Sequence, residues 1–205
     1  MQLGNLMALV AVLFITAGCN SDKVREVLDD TFGGVTDKTK MQVINVSASS
    51  LDMHAAGYTA SGHSPEIKAA KHRIGSLEPG QLPLQAEIRR NYGDERLVMQ
   101  AFDRQTGRAS EYLQIKSPLD KSLQLVAWSS DGQVRLSAFR WESSSKKSVY
   151  RLRVLSVADG VRITVPSIQT ILPKGSVSEW LTVNNCTAEF QINGKSVDIC
   201  QATPG

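Results

Sequence analysis

From residue 41 onward, apolar and polar residues alternate with a period of two, and this constrains the fold more than any other feature of the chain. Alternation places successive side chains on opposite faces of an extended strand, whereas a helix needs a recurrence near 3.6. About twelve β-rich runs follow one another. They are residues 41–47 (MQVINVS), 51–54 (LDMH), 82–88, 96–103, 111–117, 122–129, 133–141, 148–157, 160–165, 178–183, 186–192 and 195–200. Turn residues separate them roughly every 8–12 positions, the rhythm of an all-β sandwich or barrel. The expected fold class is therefore all-β: an antiparallel, Greek-key-like β-sandwich over residues 41–147, with a second, smaller β unit over 148–205.

Two hairpins can be registered from sequence. Asp131-Gly132 and Asn193-Gly194 are two-residue turn signals between alternating runs. The first should pair Ala127 with Leu136 and Leu125 with Ala138, which gives both strands one apolar face. The second should oppose Phe190 to Val197 and Ala188 to Ile199. Tyr92-Gly93-Asp94 and Thr106-Gly107 mark further turns. One helix is expected over residues 64–72 (SPEIKAAKH), with Ser64 as N-cap and Pro65 at the first helical position.

The chain also echoes itself. VINVSASSLDM (residues 43–53) resembles VLSVADGVRI (154–163) with one gap, and LEPGQLPLQAEI (77–88) loosely resembles LPKGSVSEWLTV (172–183). The shared order is strand, turn, strand, Gly-containing turn, strand, so each unit reads as half a sandwich or more. This order resembles a bacterial family of tandem β-sandwich domains of unknown function, found in lipoproteins and cell-surface proteins. GSVSEWLTV (175–183) carries the best match, a Gly turn before a Trp-Leu strand. The first unit lacks that aromatic in GQLPLQAEI and carries an insertion at 55–73. The resemblance implies a sandwich fold and an envelope location, and brings no catalytic residues.

The N-terminal segment says where the protein should live. Residues 6–17 (LMALVAVLFITA) are almost wholly apolar. A membrane-spanning helix needs about 20 such residues, so this run fits the core of a secretory signal peptide instead. ITAGC, residues 15–19, resembles the bacterial lipobox, with Thr16 where that motif usually has Leu. The resemblance implies a signal peptide over 1–18, diacylglyceryl transfer to the Cys19 thiol, cleavage before Cys19 and acylation of its new amine. Asn20, rather than Asp, then implies an outer-membrane destination on the periplasmic or the surface face. Residues 19–40 read as a lipidated tether, with a short helix or a polar linker where Val24, Val27 and Leu28 recur at helical spacing before Gly33-Gly34.

Cys186 and Cys200 flank the Asn193-Gly194 hairpin and are expected to form a disulfide, as an exported chain permits. The ideal two-residue register opposes Cys186 to Gln201, so a bulge or a frayed strand end must bring the sulfurs together. The alternatives are free thiols or half a metal site, and no further cysteine or nearby histidine supports a metal.

Catalytic chemistry finds little purchase. His54, His63 and His72 lie on different expected elements and read as surface histidines rather than a metal cluster. Ser61 and Ser64 flank His63, but no G-x-S-x-G, HExxH, P-loop or dinucleotide fingerprint occurs. Asp29-Asp30 and Asp94-Glu95 fall in polar stretches. The aromatic stock is Trp128, Trp141, Trp180, Tyr58, Tyr92, Tyr112 and Tyr150; the tryptophans either fill a second core layer or form an exposed binding patch. A net charge of +3 falls short of the clustered basic face of a nucleic-acid binder. Lys68, Lys71 and Arg73, and Lys146, Lys147, Arg151 and Arg153, read as solvated faces or as a surface for anionic lipid. The expectation is a non-catalytic envelope module without cofactor or metal, held in lipid through Cys19, with an envelope protein or glycan as partner and residues 55–73 as contact region. The alternatives are an accessory lipoprotein of a secretion or pilus assembly, and an envelope hydrolase.

Overall fold

The computed structural model describes residues 11–15, 25–27, 37–58, 66–90, 96–116, 122–140, 149–187 and 189–200. Their secondary structure is all β apart from one 3-10 turn at Ala70–His72. The strands are β1 (Ala11–Ile15), β2 (Arg25–Val27), β3 (Asp37–Asn45), β4 (Leu51–Tyr58), β5 (Arg73–Leu77), β6 (Leu84–Arg90), β7 (Arg96–Asp103) and β8 (Leu113–Lys116). They continue with β9 (Leu123–Ser130), β10 (Gln133–Arg140), β11 (Tyr150–Ser156), β12 (Val161–Val165), β13 (Ile168–Leu172), β14 (Leu181–Val183), β15 (Gln191–Ile192) and β16 (Lys195–Ser196).

The chain divides into two compact units, residues 20–142 and residues 143–205 together with 1–19. The boundary expected between 147 and 148 lies outside the described residues.

The N-terminal unit is a sandwich of two sheets, ordered β10-β9-β3-β6-β2 and β5-β4-β7-β8. Alternate residues of both supply one core. Met41, Val43, Ala86, Ile88, Leu123, Leu125 and Ala127 come from the first sheet, and Leu51, Met53, Ala55, Ile74, Leu77, Leu97, Met99 and Ala101 from the second. Burying each large aliphatic side chain removes apolar surface from water, worth about 1.5–3 kcal/mol. The β9–β10 hairpin has the register read from sequence, with Ala127 opposite Leu136 and Leu125 opposite Ala138. Both turn residues have positive φ, 54° at Asp131 and 73° at Gly132, the geometry that matches the twist of a tight hairpin. Two ladders are parallel, β3 with β9 and β2 with β6, where an antiparallel sandwich was expected.

The C-terminal unit has sheets ordered β1-β11-β14 and β13-β12-β15-β16. Leu152, Val154, Leu181 and Val183 of the first sheet share a core with Val161, Ile163, Val165, Leu172 and Ile192 of the second, and with Phe190 and Ile199. Asn193 and Gly194, at φ 49° and 77°, close the β15–β16 hairpin. Val197 donates its N–H to Phe190 as expected, over 2.9 Å.

The sequence echo is a structural repeat. β3 to β8 correspond in order to β11 to β16. β3 and β11 each pair with the strand three places on, β6 and β14. The other sheet reads β5-β4-β7-β8 in one unit and β13-β12-β15-β16 in the other. The Gly turns superimpose in their bonding: Gly80 N–H donates to the Asn45 carbonyl over 3.3 Å, and Gly175 N–H donates to the Ser156 carbonyl over 2.7 Å.

Four expectations need correction. The helix over residues 64–72 is not formed: described residues 66–72 hold only the 3-10 turn, and β5 starts at once at Arg73. The helical spacing around Val27 does not give a helix, because Arg25–Val27 pairs with β6 as a strand. Residues 37–40 are the start of β3 rather than tether. The described part of the supposed insertion at 55–73 begins as framework, since β4 runs to Tyr58 and Ala55 and Ala56 are buried; residues 59–65 lie outside the described residues.

Candidate interaction sites

The N-terminal unit carries a cleft of about 780 Å³ where three connections meet. The β3–β4 turn brings Ala48 and Ser49, the β7–β8 connection brings Thr106 to Glu111, and the β9–β10 hairpin brings Ser129, Gly132 and Gln133. Loops held on a rigid sandwich are the usual place for recognition. Asp103, at the end of β7, organises one wall. Its carboxylate accepts the N–H groups of Gln105 (2.9 Å) and Thr106 (2.8 Å). A hydrogen bond from Ser49, together with these amides, holds the Asp103 carboxyl down to about 2. Ser110 is fixed too: its hydroxyl accepts the Ala101 N–H (3.0 Å) and donates to the Glu111 carbonyl (2.9 Å). Glu111 pairs with Arg135 at 2.7 Å. The wall therefore offers hydroxyls, an amide and two kinds of charge at fixed positions. That inventory suits a ligand rich in hydroxyl or amide groups, such as a glycan or an extended peptide.

A second polar feature lies on the β5-β4-β7-β8 sheet of the same unit. Asp52 accepts from Ser76 (2.5 Å) and from Arg73 (2.9 Å), and Arg104 bridges towards Glu78 (2.8 Å). Burial alone would raise the Asp52 carboxyl, but the bonds from Ser76 and Arg73 and the charges of Arg73 and Arg104 outweigh it and hold it low. Among the lysines and arginine expected as a basic face here, Arg73 is thus committed to Asp52, while Lys68 stands 5.7 Å over the Phe102 ring.

His54 and His72 are buried, which overturns their reading as surface histidines. His54 Nδ1 lies 2.9 Å from the Ile67 carbonyl, and its ring meets Phe102 edge-on at 5.0 Å. The described part of the 55–73 segment is therefore clamped onto β4, with Ile67 buried beneath it. Burial pushes the His54 imidazole below its ordinary value. Ser61, His63 and Ser64 lie outside the described residues.

The tryptophans part company. Trp128 is only 8% exposed and donates its indole N–H to Ser137 over 3.0 Å, so it packs rather than displays. Trp180 is half-buried and stacked by two guanidiniums, Arg151 at 4.5 Å and Arg153 at 5.1 Å from the ring centre. Two of the four C-terminal basic residues are thus drawn onto one aromatic ring; Lys146 and Lys147 lie outside the described residues, as do Trp141 and Tyr92. Tyr150 packs against the C-terminal core, and Tyr112 is exposed.

Cys186 and Cys200 form a disulfide with Cα atoms 4.8 Å apart. The register problem is solved by a bend. Glu189 accepts the N–H groups of Asn184 (2.7 Å) and Asn185 (3.2 Å), which folds the chain back so that Ile199 N–H reaches the Cys186 carbonyl (2.9 Å). Asp198 lies beside the two sulfurs, but its carboxylate accepts the Cys200 N–H (2.8 Å) and both sulfurs are spent in the bond, so the trio does not fit a metal. Cys19 lies outside the described residues.

Compared with protein-family models and with curated protein sequences, the chain matches none.

Proposed function

We propose that the chain is the precursor of an outer-membrane lipoprotein, anchored by acyl chains on Cys19, whose two β units serve as a non-catalytic interaction module of the cell envelope. The observation that carries this reading is ITAGC at residues 15–19, followed by Asn20. Acyl chains contribute about 0.8 kcal/mol per buried methylene, so two or three of them hold a domain stably at a membrane. The disulfide at the C-terminus is consistent with export to an oxidising compartment. The cleft bounded by Ser49, Asp103 and Gln133 supports binding over turnover. Its Asp103 carboxylate is engaged by Ser49 and by the Gln105 and Thr106 amides, so it holds the loop that lines the cleft.

In-cell cross-linking of the tagged full-length protein, followed by membrane pull-down and mass spectrometry, tests the module reading, with Cys19→Ser as control. One dominant envelope protein, lost in the control, would identify a protein partner and favour an assembly accessory. Outer-membrane retention with no enriched protein would direct the search to glycans at the cleft. A wild-type chain as soluble as the control would refute the anchored reading.

A further inference from the structure

The repeat exposes an asymmetry between the two units. In the N-terminal unit β3 is an interior strand, with β6 on one side and β9 on the other. Its counterpart β11 has β14 on one side. On the other side, where the first unit places β9, the described residues of 143–205 supply no strand. The position is filled by β1, which pairs antiparallel with β11 from Ala11↔Ser156 to Ile15↔Leu152. β9 runs parallel to β3, so the two units complete the same sheet position with strands of opposite polarity.

β1 is the AVLFI of the apolar N-terminal run. On the lipobox reading, which this inference rests on, cleavage before Cys19 takes it away. The mature chain would then hold the outward N–H and C=O groups of Arg153 and Leu155 without a partner strand, since Val154 and Ser156 bond on the β14 side. An edge of that kind templates strand addition, through main-chain bonds for affinity and alternate side chains for selectivity. Leu152 and Val154, both in the C-terminal core, stand opposite Ile15 and Leu13 in the register.

We propose that the β11 edge of the mature protein accepts an extended, uncharged, apolar strand from a protein partner, completing the C-terminal unit as β9 completes the N-terminal one. The occupant's chemistry is set by the segment already seated there: five residues without charge, Gly or Pro. Before cleavage the leader covers the edge in cis, which protects an aggregation-prone surface during export.

The test uses mature protein purified from the envelope. Its intact mass is read first, and then hydrogen exchange at the Arg153 and Leu155 amides, which face the β1 position. The probe is a synthetic AVLFI peptide with lysine flanks; the control peptide carries Val12→Pro, which removes the ladder donor opposite Leu155. The expected result is fast exchange in the cleaved protein alone, slowed at least tenfold by the AVLFI peptide and unchanged by the control. A cleaved chain already protected there, or one the peptide leaves unchanged, would overturn the proposal alone. Protection that rises with protein concentration alongside a dimer mass would overturn it in favour of a second copy. A mass that retains residues 1–18 would sink the leader reading and the proposal with it, and that outcome is legible before any exchange is measured.

Discussion

The amide of Gly175 donates to the carbonyl of Ser156 over 2.7 Å, tying the turn before β14 to the end of β11. Gly80 makes the same bond to Asn45 at the equivalent place in the N-terminal unit. Both glycines have positive φ, 77° and 68°. A residue with a Cβ pays roughly 1–2 kcal/mol for that conformation. Gly175→Ala and Gly80→Ala are each expected to lower stability by about that amount in urea unfolding. A neutral result at either position would show that its turn tolerates a relaxed geometry.

The disulfide closes a loop across a sequence separation of 14 residues. Chain entropy alone then makes it worth about 3 kcal/mol. Cys186→Ser with Cys200→Ser should lower the unfolding free energy of the C-terminal unit by that order, and a reducing agent should do the same to the wild type. The probe should be Trp180 fluorescence, because its stacked ring reports on that unit. Equal unfolding curves with and without reductant would contradict this.

The His54 imidazole is held below its ordinary value of 6.5 by burial. Below pH 6.5 the unfolded chain takes up a proton that the folded chain resists, so stability is full above that pH and is lost as pH falls towards the lower folded value. His54→Asn keeps a donor near the Ile67 carbonyl and removes the titration. Melting midpoints should fall between pH 7.5 and 5.5 in the wild type and fall less in the variant. Parallel pH profiles would show that another group governs this range.

On the acid side the sign is the same. Asp103 sits at about 2 and Asp52 below its usual 3.8, so their contributions are present above pH 3.8 and disappear as pH drops towards 2. Asp103→Ala should flatten the stability profile across that window. An unaltered profile would mean that the Gln105 and Thr106 amides find other acceptors at no cost.

Ile67, like Ala55 and Ala56, is a buried residue of the 55–73 segment. It is buried beneath the sheet-covering turn, so Ile67→Ala should cost about 2–5 kcal/mol. Replacing residues 59–65 with a Gly/Ser linker should leave the unfolding midpoint near wild type and abolish partner binding. Retained binding would move the contact to the Ser49–Asp103–Gln133 cleft.

Much of the fold was legible because it is written in alternation and turn chemistry. The residues 96–103 run coincides with β7, and the Asp131-Gly132 register follows from two turn residues and four apolar ones. β13 was missed because Ile168 and Ile171 face solvent on an edge strand, which erases the period-two pattern. β5 was missed because its RIGSL carries Gly75 and Ser76, poor strand formers, next to a segment of high helix propensity. That segment makes no helix because Ile67 and His72 are drawn down onto the sheet. The His54–Ile67 and Arg151–Trp180–Arg153 contacts were not legible, since they depend on which residues the sheets bring together. The bend at Glu189 that lets Cys186 meet Cys200 was anticipated as a need, but not as a place.

The account stands or falls on Cys19, and the intact mass of the protein extracted from the outer membrane tests it most directly. The account predicts a chain that begins at Cys19 and carries the added mass of two or three acyl chains, with Cys19→Ser left uncleaved and unlipidated. An unmodified chain, whether it begins at Met1 or inside the tether, would contradict it.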